Sequence, residues 1–228
     1  MAHLVQTAVQ LNQDGVNEFV RGNLTLALET FRHALQTMIL FEPHVDHNDN
    51  NNGNLPDAPL NAHGFAAMGI TYVPMPPQNN KGDPFVYGRP FIFNPALLPH
   101  NQDGIAVFSA GVVFNMAVVF HCRSLKDPSG PFRAKALHLY ESSVDLFSKI
   151  NPRYDLSGTI AAALNNKASI YYAGGDFERC DHELDRLQRV MVQAEYSLST
   201  GYILRGSDFQ GILLNLLTMR PPRVAEAA

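Results

Sequence analysis

Neither sign of charge dominates this sequence, and it has no basic block: 17 Lys and Arg stand against 21 Asp and Glu, a formal net charge of −4. That balance argues against the electrostatic footprint of a nucleic-acid binder. No run of purely apolar residues approaches the ~20 that a membrane helix needs, so no membrane contact is expected. The start, MAHLVQTAVQ, lacks the positive residues and continuous apolar core of a secretory signal. Cysteine is scarce. Cys122 and Cys180 lie far apart and outside any CxxC pair, a usage that suits a reducing compartment. The expected location is the cytoplasm, and nothing in the sequence excludes the nucleus. Ser-His-Asp spacing, a Walker loop and a dinucleotide glycine motif are also missing, so the chain reads as non-catalytic and without a cofactor.

What is present is apolar and periodic. With 46% apolar residues in 228, the chain can form one large domain or a short array of repeats. Leu24, Ala27, Leu28, Phe31, Leu35 and Met38 recur at helical steps and mark one buried face. Gly22-Asn23 breaks this helix from a preceding one over Leu4 to Val20, and so short a joint makes the two antiparallel. Helices resume at Ile105, with Asp103 as the expected N-cap. There IAVFSAGVVFNMAVVFHC is apolar almost all round and should be the most buried helix. DPSGP ends it, and Pro131 suits the first turn of the next helix. Asn151-Pro152 closes that one. A fifth helix to about Ala173, a sixth over Phe177 to Leu198, and a seventh capped by Ser207 complete the pattern. RPPRVAEAA reads as a frayed tail.

The segment from Pro43 to Pro99 departs from this pattern. It holds ten of the fifteen prolines, too many for helix, together with the run HNDNNNGN. GITYVP (Gly69 to Pro74) and FVYGRPFIF (Phe85 to Phe93) are β-branched and aromatic between turn residues, and read as two short strands, one hairpin against the helices. Phe85, Phe91, Ile92 and Phe93 need a surface to cover.

The helix pairs share a spacing. Gly15 and Ala168 each precede the turn glycines Gly22 and Gly175 by seven residues, and the small residues Ala27 and Cys180 follow those glycines by five. Tyr171 follows Ala168 by three, whereas Phe19 follows Gly15 by four. Ala117, Phe120, Ala136 and Tyr140 fit the same scheme if the middle turn is longer. The pattern resembles the tetratricopeptide repeat (TPR), with a small residue, an aromatic, a Gly-acidic-aromatic turn, then a small residue and an aromatic. NNKASIYYAGGDFERC is the closest copy. Lys167 and Asp14 stand where the family usually has leucine. The resemblance implies an all-α, TPR-like superhelix of about seven antiparallel helices in one domain, 1–228. Its pairs are 4–41, 104–150 and 155–198, with an insertion over 42–103, a capping helix over 207–219 and a tail over 220–228. Small residues let helices approach and glycine forms the turn at no steric cost. Tyr171, Gly175 and Cys180 then read as packing rather than chemistry.

Repeats of this kind line a concave face with the first helix of each pair. The groove positions are Asn12, Val16 and Phe19, then Phe114, Asn115, Val118 and His121, then Asn165, Asn166, Ser169 and Tyr172. They mix amides with aromatics and carry almost no charge. Asparagine can hydrogen-bond a peptide backbone with both its donor and its acceptor, so a protein or peptide partner is expected. On that reading, replacing Asn115 and Tyr172 by alanine weakens binding and barely lowers the melting temperature. A subset of the family grips chaperone C-termini with a Lys/Arg clamp. Here Asn12, Val16, Ala162 and Asn166 occupy four of its five positions and only Asn115 matches, so chaperone-tail binding is not expected. The alternative is that the insertion or the seventh helix fills the groove, and that the chain is a structural subunit which self-associates as a homo-oligomer.

The remaining candidates are weaker. His44, Asp46, His47 and Asp49 could offer metal ligands, but their spacing matches no familiar zinc pattern and ordering the loop would be costly, so no metal is expected. His63 and His100 read as loop residues. His121 adjoins Cys122, but neighbours on a helix point about 100° apart and do not form a nucleophile pair.

Overall fold

The computed structural model describes residues 2–40, 70–72, 84, 86–98, 101–150, 156–196 and 206–220. Among them are seven helices: α1 (Ala2–Val20), α2 (Leu24–Ile39), α3 (Gln102–Lys126), α4 (Phe132–Ser148), α5 (Ser157–Ala173), α6 (Phe177–Tyr196) and α7 (Gly206–Thr218). Two short strands, β1 (Ile70–Tyr72) and β2 (Phe91–Phe93), complete the described elements. The all-α class expected from the helical periodicity is therefore the architecture found.

Three hairpins, α1–α2, α3–α4 and α5–α6, make the most extensive helix contacts. Each meets the next through its second helix, α2 against α3 and α4 against α5. The turns of the first and third hairpins are built alike. Gly22 and Gly175 take positive φ of 84° and 73°, which only glycine adopts without strain. In each, the glycine N–H donates three residues back (to Phe19 and Tyr172), and the next N–H donates five back (Asn23 to Glu18, Asp176 to Tyr171). These paired bonds satisfy carbonyls that the helix end would leave open. The small residues lie between helices, as their spacing suggested: Ala27, Ala34, Ala117, Ala136, Ala168 and Cys180 are fully buried. At Gly15 a Cβ would fall 2.7 Å from the Phe31 ring, so the absence of a side chain there lets α1 and α2 close on each other.

Helix boundaries differ from expectation in detail. α3 begins at Gln102 rather than Ile105, and its cap is Asn101, whose side chain accepts from Gly104 N–H at 3.1 Å. Asp103 lies in the first turn, where its charge suits the positive end of the helix dipole. α3 is also long and apolar enough, by length and composition, to cross a membrane, which the count of purely apolar residues did not anticipate. Two thirds of its apolar window is buried inside this fold, among them Val107, Phe108, Val112, Phe114 and Val119.

Among the described residues the expected hairpin has three residue pairs, antiparallel, with Ile70 opposite Phe93, Thr71 opposite Ile92 and Tyr72 opposite Phe91. Residues 86–90 are not strand. Pro90 has no N–H for a ladder, and the backbone of Tyr87 bonds to a helix side chain instead. The metal-like run His44 to Asp49, together with His63, His100 and the tail beyond residue 220, lies outside the described residues.

Candidate functional site

The first helices of the three hairpins, α1, α3 and α5, turn their amide side chains toward one segment of the chain, residues 86–93, called here the strap. Asn115 on α3 holds Phe91. Its Oδ1 accepts from Phe91 N–H at 2.7 Å, and its Nδ2 donates to Phe91 C=O at 2.8 Å. Asn12 on α1 donates to the same carbonyl at 3.0 Å, and its own oxygen accepts from Asn115 Nδ2, also at 3.0 Å. One hairpin along, Asn166 on α5 repeats the arrangement on Tyr87, accepting from its N–H at 2.7 Å and donating to its C=O at 2.9 Å. Its second hydrogen goes to the Tyr140 hydroxyl at 2.9 Å. Asn115 and Asn166 each lie two residues before a buried alanine, Ala117 and Ala168. The second and third hairpins thus each clamp one strap residue, the first adds a single bond to Phe91, and the clamped residues are four apart.

Each clamped residue also buries its ring. Phe91 packs on Phe114 with centroids 4.6 Å apart, Tyr87 meets Phe114 at 6.1 Å edge-on, and Phe114 meets Tyr140 at 5.5 Å. Phe93 packs on Phe108 at 4.9 Å. Gly111 of α3 makes room for that ring, because a Cβ there would collide with Phe93 Cζ. Tyr87 and Phe91 are each 1% exposed.

Of the expected groove residues, Asn12, Phe114, Asn115 and Asn166 meet the chain's own strap. Asn12, Val16, Phe19, Phe114, Asn115, Val118, His121, Asn165, Asn166 and Ser169 are all buried. Tyr172 stands apart, half-buried, with its ring 5.8 Å from Phe177. Asn165 turns the other way, its Oδ1 accepting from Asn215 Nδ2 at 2.8 Å, which seats α7 against α5.

Behind the strap, the His121 Nδ1 lies 3.4 Å from the Tyr140 hydroxyl. That hydroxyl already accepts from Asn166, so its own hydrogen is available to a neutral imidazole. Burial, reinforced by the positive charge of Arg133, lowers the His121 pKa to about 4. Burial raises Cys122 to about 11, against the opposing pull of Lys126. At neutral pH this adjacent pair presents a thiol and a neutral ring rather than a thiolate and an imidazolium. Among the described residues, no cluster of three His, Cys, Asp or Glu side chains is placed to hold a metal ion.

Sequence reasoning missed an ion network between hairpins. Lys167, set where the TPR pattern has leucine, is 3% exposed, and its Nζ contacts Glu141 of α4 and Glu183 of α6, the latter at 2.7 Å. Arg186 forks onto both oxygens of Glu141 at 3.1 Å and reaches Glu183 at 3.1 Å. Burial lowers the Lys167 pKa, and Glu183 opposes that shift. The signal was present as two carboxylates with two cations, but no spacing rule joins residues on three helices.

No protein-family model matches the chain, no curated protein matches it, and no solved structure matches it.

Proposed function

We propose that the chain is a non-catalytic, TPR-like protein-interaction domain whose concave face reads the backbone of a non-helical segment. Two features support the TPR-like reading. The turns at Gly22 and Gly175 share one bonding pattern, and the small residues at equivalent spacing are buried between helices. The observation that carries the binding reading is the pair of asparagine clamps. A side-chain amide that engages both the N–H and the C=O of one residue recognises main chain rather than a particular side chain. The structure's own strap occupies this face, so a partner reaches it only by displacing the strap. The test is a full-length Tyr87→Ala/Phe91→Ala variant presented to a displayed library of random peptides. Enrichment of peptides whose binding is lost on adding Asn115→Ala and Asn166→Ala supports the reading. A folded variant that retains no peptide contradicts it.

A second reading, self-association, is favoured by the outer face of α6 and α7. Leu217 is 80% exposed and lines, with Val192, Phe209 and Leu213, a cleft of about 450 Å³, and Leu214 is exposed on the same helix. The last helix of a stacked array ordinarily turns a polar face to water. At the other end, α1 exposes Gln6, Gln10, Asp14 and Asn17, so the same apolar end of a second copy, in an isologous pair, is the better match for this face. Light scattering of a dimer that Leu214→Glu/Leu217→Glu dissociates supports this reading. A monomer at all concentrations counts against it.

A further inference from the structure

The strap reveals what the groove selects. Its polar contacts from Asn12, Asn115 and Asn166 all go to the main chain of Tyr87 and Phe91, so they set position and direction without reading side chains. At the clamped positions selection falls to the two rings, which share the Phe114 ring as a common wall and lie 6.4 Å apart, while Phe93 packs separately on Phe108. Between them, Gly88 and Arg89 are only half-buried and Pro90 is buried. The positions that decide fit are therefore an aromatic residue, three intervening residues, and a second aromatic residue. The three intervening residues must leave the clamped N–H groups free and follow a non-helical path.

We propose that the groove's ligand class is a non-helical protein segment bearing aromatic side chains four residues apart, and that the strap is a tethered competitor which such a segment must displace. This rests on the reading of the concave face as a backbone reader and adds the ligand's chemistry and its control. A tethered segment competes at the effective concentration of its tether, on the order of millimolar for short flexible links. An incoming segment of equal fit is therefore held off, and one of better fit, or one presented at several points, gains entry. The groove is closed by default and opened by ligand quality.

The experiment uses two synthetic peptides, VYGRPFIF and its counterpart VAGRPAIF. Fluorescence anisotropy is read against the wild-type chain and against full-length Tyr87→Ala/Phe91→Ala. VYGRPFIF is expected to bind the variant at least tenfold more tightly than the wild type, VAGRPAIF to bind at least tenfold more weakly than VYGRPFIF, and Asn115→Ala to abolish the difference. Equal binding of both peptides removes the aromatic selection while leaving backbone reading intact. No binding of either peptide to a folded variant removes both. A one-to-one complex of the variant with the wild-type chain, formed in preference to the peptide complex, makes a second copy the occupant and overturns the proposal. If the variant does not fold, amide exchange on the wild type decides. Millimolar VYGRPFIF, and not VAGRPAIF, is expected to speed exchange at the Phe91 amide, and an unchanged rate overturns the proposal.

Discussion

Asn115 holds Phe91 on both sides of its α-carbon, accepting from its N–H at 2.7 Å and donating to its C=O at 2.8 Å. The two residues are 24 apart in sequence, and both are buried. Asn115→Ala leaves the Phe91 N–H without this acceptor in the interior, and each stranded buried polar group costs about 1–3 kcal/mol. The expected destabilisation is about 3 kcal/mol by urea denaturation. This reverses the expectation that alanine at Asn115 and Tyr172 leaves the melting temperature nearly unchanged. Tyr172→Ala alone, at a half-buried ring, is expected to cost about 1 kcal/mol.

Gly111 and Phe93 test the same docking from the apolar side. Gly111→Ala places a methyl group against the Phe93 ring, and overpacking of this kind costs about 1–3 kcal/mol. Phe93→Leu in the Gly111→Ala background is expected to recover part of that loss in thermal melts. Non-additivity between the two substitutions is the signature of direct contact.

His121 makes stability depend on pH with a definite sign. Its pKa is about 4 in the folded chain, and its ordinary value of 6.5 returns on unfolding. Between those values the unfolded chain binds the extra proton, so stability rises with pH. The contribution is fully present above pH 6.5 and lost as pH falls toward 4. From pH 7 to pH 4.5 the wild type is expected to lose about 2 kcal/mol more than His121→Gln, measured by urea titration at the two pH values.

Lys167 stands between two carboxylates and beside Arg186. Lys167→Met leaves Glu141 and Glu183 to share a single cation, and breaking a buried pair costs about 3–5 kcal/mol. The second change Glu183→Leu is expected to restore much of that loss, because the remaining Arg186 and Glu141 form a complete forked pair. A double variant as unstable as the single one contradicts this account of the network.

The helices were legible because their signals are local. A face such as Leu24, Ala27, Leu28, Phe31 is read within one helix, and the turn at Gly175 within a few residues. The positions lining the first helices can be counted from the small residues, which is why Asn12, Asn115 and Asn166 stand together in the sequence reading. What faces them could not be counted. The strap reaches α1 and α5 across 79 positions of sequence, and nothing in periodicity reports which of Phe85, Tyr87, Phe91 or Phe93 meets which amide. One signal lies in the equal offset of Asn115 and Asn166 from Ala117 and Ala168, since an amide recurring at one offset on two buried helix faces needs polar groups to bond. The reduced strand has a local cause in Pro90, which lacks the N–H that a ladder needs. The charge at Lys167 was visible as a departure from leucine, but its partners lie on two other helices.

The central claim is that the strap lies in the groove with its backbone held by side-chain amides. Amide hydrogen exchange followed residue by residue in the full chain tests it directly. The account predicts that the N–H groups of Tyr87 and Phe91 are protected to nearly the level of α3, and that Asn115→Ala lowers protection at Phe91 more than at Tyr87. Exchange of both amides at the rate of an unstructured peptide, with α3 still protected, would contradict it.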